Sequence, residues 1–166
     1  MTLTAHALAG ASVAMLLRNN PVAAFFGAFA IHFVADVLPH WDYKIKSLKK
    51  NPDNYLENRI VFDTTFLRDL FFTGLDCSLG IVLSFFVISQ IAPVYAPIAV
   101  LGAIGGVLPD FLQLIYFIFP KSPIIYLQKF HHWVQAENIF EHSPFWGIVS
   151  QVVFLLIVGS LARASL

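Results

Sequence analysis

Charge is scarce in this sequence. Ten Lys and Arg with ten Asp and Glu make up 12% of its 166 residues, against roughly 25% in soluble domains, and the mean hydropathy is +0.73. A chain with so few charges cannot cover its surface in water, which excludes an ordinary soluble globular domain. The two signs also balance, so no basic surplus is available to neutralise phosphates, and nucleic-acid binding is excluded as well.

Cysteine is almost missing. Cys77 is the one cysteine of the sequence, which excludes an intrachain disulfide and a thiolate zinc cluster. A basic segment is missing at the start as well, since MTLTAHALAG carries no Lys or Arg ahead of the first apolar run. Such a start is not typical of a signal peptide. The length indicates a single domain.

Long apolar runs are abundant instead. A spanning helix needs about 20 largely apolar residues, and five segments reach or approach that length. They run from about Leu3 to Leu17, Val22 to Leu38, Leu70 to Ile91, Ile98 to Phe119 and Phe145 to Leu161. The sequence therefore predicts an all-α fold, a polytopic membrane helix bundle with about five transmembrane helices.

Polar residues collect in two stretches between these helices, at about 43–69 and about 120–143. Two helices separate the stretches, so both lie on the same side of the membrane. They hold eight of the ten Lys and Arg, and the opposite side has only Arg18 and Arg163. Because cytoplasmic loops are enriched in Lys and Arg, we expect both loops and the N-terminus to be cytoplasmic.

An internal repeat relates the first two helices to the third and fourth. A shift of 70 residues pairs Gly10 with Gly80, Val37-Leu38-Pro39 with Val107-Leu108-Pro109, His6 with Asp76, and His40 with Asp110. Each unit holds an even number of helices, which makes the repeat parallel. We therefore expect two parallel-repeat hairpins, at about 3–42 and about 70–119, followed by a C-terminal helix at about 144–162.

Ionisable residues inside the apolar runs are the candidates for chemistry. A carboxylate in a spanning helix costs about 2.5–3.5 kcal/mol on insertion scales, so it needs a partner or a function. Asp36, Asp76 and Asp110 are such carboxylates. His32, Asp36 and His40 follow one another at intervals of four residues, which places them on one stripe of the second helix.

Imidazole and carboxylate groups without thiolates are ligands for Zn, with Mn and Fe as alternatives. The predicted ligands of one ion or a pair are His6, Asp36, His40, Asp76, Asp110, His131, His132 and His142. We interpret His32 as a packing residue that hydrogen-bonds a neighbouring helix. Asp110 and Glu141 are the predicted catalytic residues, Glu141 as a general base on the ground of its position.

These motifs resemble those of the membrane-bound, metal-dependent hydrolases of the bacterial inner membrane. The matching elements are Thr4-Ala5-His6 before a small-residue helix, Leu108-Pro109-Asp110 after an apolar helix, and Glu141-His142-Ser143 leading into the last helix. Leu38-Pro39-His40 departs from the pattern by carrying histidine where the family has aspartate. The resemblance implies a metal-dependent hydrolase in the inner (cytoplasmic) membrane of a prokaryote.

Three functions fit these residues. The first is a metal-dependent hydrolase of a phosphoester or lipid headgroup at the cytoplasmic leaflet, with membrane lipid as its partner. The second is a metal-ion or proton-coupled transporter, and the third is a non-catalytic membrane scaffold. The hydrolase is preferred because the polar cluster lies at one face, while the outer halves of the helices are almost purely apolar.

Overall fold

The structure is a computed structural model that describes residues 1–136, 140 and 143–166. Within these residues the chain forms six α-helices, two short 3₁₀-helices and one two-stranded hairpin, joined by irregular segments. The six helices are α1 (Leu3–Leu16), α2 (Pro21–Val37), α3 (Thr64–Ile91), α4 (Ala96–Ile118), α5 (Ile124–Val134) and α6 (Pro144–Ala164). The two strands of the hairpin, β1 (Leu48–Lys49) and β2 (Arg59–Ile60), pair antiparallel. The prediction of an all-α fold is confirmed.

Five of these helices coincide with the predicted apolar segments, and α5 corrects the prediction. It lies within 120–143, where the sequence predicts a loop. Its 11 residues mix apolar side chains with a glutamine, a lysine and two histidines, so no long apolar run marks it. α3 begins at Thr64 rather than at Leu70, because the Asp63 carboxylate accepts a hydrogen bond of 3.1 Å from the amide of Phe66 and caps the helix.

Three helical segments of the described chain are long and apolar enough to cross a membrane, namely Thr64–Ile91, Pro93–Ile118 and Pro144–Ala164. α1 and α2 are apolar but have 14 and 17 residues. They are therefore about 21 and 26 Å long, against about 30 Å for the hydrocarbon core of a bilayer. The arrangement with five spanning helices stays a prediction.

α1 lies at the centre of the bundle, where it packs against α2, α3, α4 and α6. All five of its alanines are buried. α3 lies at the edge, and Asp69, Gly80 and Ser84 are its only buried residues out of 28. Since the side chains that α3 exposes are mostly apolar, its outer surface suits lipid rather than water.

Glycines on α4 allow the neighbouring helices to approach closely. A Cβ atom on Gly106 would overlap the carbonyl oxygen of His6 in α1, and one on Gly105 would lie 2.9 Å from the carbonyl oxygen of Phe25 in α2. Gly102, one turn before Gly106, also contacts α1 directly. Small residues at helix crossings are typical of membrane bundles. Here they bring the backbones of α1 and α2 against the turn of α4 that precedes Asp110.

The two predicted repeat units differ at matched positions. Gly10 of α1 contacts α4, so a twofold axis relating the hairpins would place Gly80 of α3 against α2. Gly80 contacts Thr4 and Ala7 of α1 instead. Moreover, α2 ends at Val37, whereas α4 continues through its own proline, Pro109, to Ile118. These positions are therefore not related by a twofold axis, and the parallel repeat stays a prediction.

Candidate metal centre

Four ionisable side chains from three helices meet inside the bundle. α2 contributes His32 and Asp36, α4 contributes Asp110, and α5 contributes His131. One ligand atom from each lies within 4.8 Å of every other. Such a group of two imidazoles and two carboxylates could bind a metal ion.

The ligand atoms of this group lie close to the spacing of a metal site. Zinc binds imidazole and carboxylate at about 2.0–2.2 Å, which places neighbouring ligand atoms of a tetrahedron about 3.3–3.6 Å apart. His32 Nε2 lies 3.3 Å from Asp36 Oδ2 and 3.7 Å from Asp110 Oδ1. His131 Nε2 lies 3.0 Å from the same oxygen of Asp36 and 3.7 Å from the same oxygen of Asp110. The two Nε2 atoms are 3.4 Å apart, so five of the six ligand–ligand separations lie between 3.0 and 3.7 Å, and all six lie within 4.8 Å.

A hydrogen bond through its other nitrogen orients His32. Nδ1 lies 2.8 Å from the carbonyl oxygen of Gly106, so the neutral ring carries its hydrogen on Nδ1 and donates it there. The lone pair of Nε2 then faces the cluster. A backbone carbonyl that fixes the tautomer in this way is a common partner of metal-binding histidines.

Contacts at both ends of His131 hold α5 against α2. The amide of Ala136, just beyond α5, donates to the carbonyl oxygen of Asp36 at 2.8 Å. The ring of Phe33 meets those of Phe130 and His131 edge-on, with centroids 4.9 and 5.6 Å apart. His131 is only 1% exposed, so α5 delivers it to the buried site.

The remaining oxygens of the two carboxylates face α1 and the N-terminal segment. His6 Nε2 lies 3.2 Å from Asp36 Oδ1 and 3.8 Å from Asp110 Oδ2. His40 Nε2 lies 3.8 Å from Asp36 Oδ1. The amine of Met1 lies 3.0 Å from that oxygen and 2.7 Å from His40 Nε2. Each carboxylate therefore presents one oxygen to the four-residue cluster and its other oxygen towards a second group of nitrogens.

Most of these polar side chains are buried, so an unpaired polar atom among them lowers the stability of the fold. His6 and His32 are 0% exposed and Asp36 is 1% exposed, while the side chain of Asp110 is 25% exposed. Within the described chain, both ring nitrogens of His6 and the Nδ1 atom of His131 lack a hydrogen-bond partner. An unpaired buried polar atom costs about 1–3 kcal/mol. The nitrogens of His6 are therefore available to a ligand, and Asp110 lies on the accessible side of the site.

Segments at the end of α2 are held in place by α6. The Gln151 side chain donates to the carbonyl oxygen of Trp41 at 2.8 Å and accepts a hydrogen bond of 3.2 Å from the amide of Thr2. Gly147 makes this approach possible, because a Cβ atom there would lie 2.5 Å from the Trp41 nitrogen. These contacts fix the position of His40 beside the site.

Burial also shifts the ionisation of groups just beyond α2. It raises the pKa of Asp42 to about 7, and the charges of Asp110 and Asp36 act in the same direction. Burial lowers the pKa of His40, and the positive terminal amine lowers it further. His40 Nδ1 lies 2.7 Å from the carbonyl oxygen of Leu38, so it carries the hydrogen of the neutral ring, and Nε2 accepts a hydrogen bond of 2.7 Å from the amine of Met1.

Five of the predicted ligands lie together in this region. They are His6, Asp36, His40, Asp110 and His131. His32 joins them, although the sequence indicated only a packing role for it. The signal for His32 was its place on one stripe with Asp36 and His40. The residues that face this stripe are Asp110 on α4 and His131 on α5. The sequence of α2 alone does not show that they lie there.

Asp76 has a different environment from the one predicted, because it caps α1. Its Oδ2 accepts hydrogen bonds from the amide of Leu3 at 2.7 Å and from the hydroxyl of Tyr43 at 3.1 Å. Its Oδ1 accepts from the amide and the hydroxyl of Thr4 at 3.2 and 2.6 Å. A carboxylate at a helix N-terminus satisfies free amides and interacts favourably with the helix dipole. Both oxygens of Asp76 are therefore occupied by donors of the fold.

His132 lies outside the cluster. Its side chain is exposed, and its ring stacks on Tyr55 with centroids 3.7 Å apart. Glu141 and His142, predicted as general base and ligand, lie outside the described residues, so both roles stay predictions.

No protein-family model, curated protein or solved structure matches the chain.

Proposed function

We propose that this chain is a membrane-embedded, metal-dependent hydrolase that acts on a phosphoester, such as a lipid headgroup, at the cytoplasmic leaflet. The observation that carries the proposal is the close approach of ligand atoms from His32, Asp36, Asp110 and His131, three of them buried. The resemblance of the Thr4-Ala5-His6 and Leu108-Pro109-Asp110 motifs to metal-dependent hydrolases of the bacterial inner membrane points the same way.

In this proposal all five apolar helices lie in the membrane, with α1 and α2 shielded by the longer ones. The cluster lies at the end of the bundle that carries the two long loops and eight of the ten basic residues. At the other end, Arg18 donates to the carbonyl oxygens of Met15 and Ser165 at 2.9 and 2.6 Å. The distribution of Lys and Arg supports a position of the site on the cytoplasmic side.

Zinc is the ion we propose for the four-residue cluster, because two imidazoles and two carboxylates within 4.8 Å of one another suit it. A second ion would bind to the other oxygens of Asp36 and Asp110, together with His6 and His40, and would replace the Met1 amine that contacts Asp36 Oδ1 and His40 Nε2. Two-metal sites of this kind stabilise both the attacking and the leaving oxygen of a phosphoester displacement. The two faces of the carboxylates thus support a pair of ions as the complete centre.

Asp110 and His6 would have different roles in hydrolysis. A bound divalent ion polarises a phosphoryl oxygen and makes a water molecule more acidic. Asp110 is the accessible ligand, so the substrate would approach on its side. His6 has ring nitrogens without hydrogen-bond partners beside that carboxylate, which lets it bind an ion or accept a proton.

The packing of the bundle argues against transport. Beyond the cluster, the interior between α1 and α4 is filled by Ala7, Ala11, Met15, Ala99 and Ala103, all 3% exposed or less. A conduit for ions or protons needs polar side chains along its length, and this layer supplies apolar ones. A metal site at one face is what a surface enzyme requires.

Two adjacent histidines offer a matched test. His131→Ala removes a ligand, whereas His132→Ala removes the same side chain from an exposed position. We expect the purified wild type and His132→Ala to contain the same amount of zinc, and His131→Ala to lose most of it. Zinc content is measured by inductively coupled plasma mass spectrometry. Hydrolysis of phosphatidylglycerol and of bis(p-nitrophenyl) phosphate should follow the metal content.

Equal metal content in the two variants would contradict the site. Metal binding without hydrolysis of either substrate would contradict the hydrolase but leave the site intact. Uptake of the ion into proteoliposomes would then favour the transporter.

A further inference from the structure

The buried face of α5 is polar. Gln128 and His131 are the buried residues of this helix, 4% and 1% exposed. They lie three residues apart, so their side chains are neighbours on one face, with Cβ atoms about 5–6 Å apart. An amphipathic helix ordinarily buries its apolar face against the core. The burial of a glutamine next to a candidate metal ligand therefore calls for a role of its own.

Each of these two side chains has one buried atom without a hydrogen-bond partner in the part of the chain that the structure describes. The atoms are Oε1 of Gln128 and Nδ1 of His131. Among the buried, unpaired side-chain atoms of the described residues, Oε1 of Gln128 is the only oxygen. An amide oxygen accepts hydrogen bonds, and a ring nitrogen that carries a hydrogen donates one. The two unpaired atoms are therefore complementary.

The other histidines of α2 and the segment after it show what His131 lacks. His32 Nδ1 lies 2.8 Å from the carbonyl oxygen of Gly106, and His40 Nδ1 lies 2.7 Å from that of Leu38. Within the described residues, no such oxygen contacts Nδ1 of His131. An imidazole that binds an ion through Nε2 carries its hydrogen on Nδ1 and donates it to an acceptor. His131 therefore requires an acceptor on its Nδ1 side.

Gln128 can supply that acceptor. Side chains of a helix lean towards its N-terminus, so the ring of His131 lies over the turn that contains Gln128. The carboxamide of Gln128 is carried by several rotatable bonds, so Oε1 can reach Nδ1 without movement of α5. His131 Nε2 lies 3.0 Å from Asp36 Oδ2, where a hydrogen on Nε2 would be donated. Binding of an ion at Nε2 moves that hydrogen to Nδ1, which is the state that needs Oε1.

We propose that Gln128 is a positioning residue of the candidate metal centre, whose Oε1 accepts the Nδ1 hydrogen of His131 and directs Nε2 at the ion. This inference rests on the metal-binding part of the proposed function. The hydrogen bond fixes the tautomer and the orientation of the ring and makes Nε2 a stronger ligand. It also gives the buried glutamine of α5 a partner.

The zinc affinity of the full chain in detergent, measured by competition with a fluorescent chelator, tests the proposal. Gln128→Met keeps the length of the side chain but removes the acceptor oxygen, so it should weaken zinc binding about 10- to 100-fold. Gln128→Glu keeps an acceptor oxygen and should bind zinc at least as tightly as the wild type. Gln135→Met is the matched control, because it makes the same substitution at an exposed position at the end of α5, and it should leave the affinity unchanged.

Two further measurements separate positioning from packing. Oε1 of Gln128 is unpaired in this structure, so in the presence of a chelator the unfolding temperature of Gln128→Met should equal or exceed that of the wild type. The loss of a packing residue would lower it. In a chain that already carries His131→Ala, Gln128→Met should not weaken the remaining zinc binding, because the ring that Gln128 positions is absent.

Three results would overturn the role of Gln128. They are an unchanged zinc affinity in Gln128→Met, equal losses of affinity in Gln128→Met and Gln128→Glu, and the same loss from Gln128→Met with and without His131. A zinc affinity that falls in His131→Ala but not in Gln128→Met would contradict only this inference, whereas no zinc binding by the wild type would contradict the metal centre as well. A loss of affinity in Gln128→Met, with neither phosphoester hydrolysed by the wild type, would support the role of Gln128 and contradict only the hydrolase.

Discussion

The Nε2 atoms of His32 and His131 lie 3.4 Å apart, in a site from which solvent is almost excluded. The Nδ1 hydrogen of His32 is committed to the Gly106 carbonyl oxygen, so the neutral ring turns a lone pair towards His131. Two imidazoles in this arrangement need a proton or a cation between them. Asp36 and Asp110 lie within 3.7 Å of both nitrogens, which supplies the negative charge that a divalent ion requires.

Metal removal is expected to lower the stability of the folded protein. An ion that binds the native state alone stabilises it by about 2.7 kcal/mol when its free concentration is 100 times the Kd. A chelator should therefore lower the unfolding temperature of the wild type, and added zinc should restore it. Thermal unfolding of His32→Ala should respond to neither. An equal response of His32→Ala and the wild type would show that the ion acts elsewhere.

The number of bound ions tests whether both oxygens of Asp36 and of Asp110 bind metal. If Asp36 and Asp110 bridge a pair of ions, the wild type should bind two zinc ions per chain. His6→Ala should reduce the number to one, because it removes a ligand of the second ion only, and calorimetric titration of the chelated protein measures both values. One ion in the wild type and one in His6→Ala would restrict the centre to the four-residue cluster.

Much of the fold could be predicted from the sequence, because long apolar runs and their breaks at Pro39 and Pro93 mark five of the helices. α5 could not, since its 11 residues are too few and too polar to stand out by hydropathy. A short helix of this type is stabilised by its packing, in this case by the contacts of Phe130 and His131 with Phe33. Neither partner is identifiable before the fold is known.

The candidate site could likewise be predicted only in part from the sequence. His6, Asp36 and Asp110 could be predicted as site residues because a polar group in an apolar helix needs a reason to be there. Asp76 satisfied the same criterion but serves the N-terminus of α1. The difference depends on the level at which α3 lies against α1, which is a property of packing and not of the local sequence.

Close contact between α1 and α4 is required to form the site, so Gly106→Ala should impair it. The added methyl group would overlap the carbonyl oxygen of His6 and push α1 away from α4. Overpacking of this kind costs about 1–3 kcal/mol, and the displacement of His6 should weaken zinc binding. Unfolding temperature and zinc affinity are the two measurements.

Gly159→Ala in α6 is the control, because a Cβ atom at this position meets nothing within 4 Å. Alanine is a better helix former than glycine by about 1 kcal/mol, so this variant should be as stable as the wild type or slightly more stable. Zinc affinity equal to that of the wild type in Gly106→Ala would show that the site does not depend on this helix crossing.

α5 is expected to lie in the membrane interface with its aromatic face in lipid. Tyr126, Phe130 and Trp133 follow one another along one face and are 68%, 44% and 78% exposed, whereas His131 on the other face is buried. Tyrosine and tryptophan prefer the level of the lipid headgroups, and an amphipathic helix with this pattern lies in the interface plane. In a variant whose other tryptophans are replaced by phenylalanine, Trp133 should be quenched more by lipids brominated near the headgroup than by lipids brominated near the chain end.

Lipid contact on this face of α5 should also support the metal site, since α5 carries His131. Replacing Phe130 and Trp133 by serine removes apolar contact with lipid and the packing of Phe130 on Phe33. To separate these effects, Trp133→Ser is compared with Phe130→Ser. Because Trp133 is the more exposed of the two, its loss should weaken zinc binding in bilayer nanodiscs but not in detergent, whereas the loss of Phe130 should weaken it in both. Two results together would contradict this position: Trp133→Ser leaves the zinc affinity in nanodiscs unchanged, and brominated lipids do not quench the tryptophan fluorescence. They would show that α5 lies in water and is held by its contacts with α2 alone.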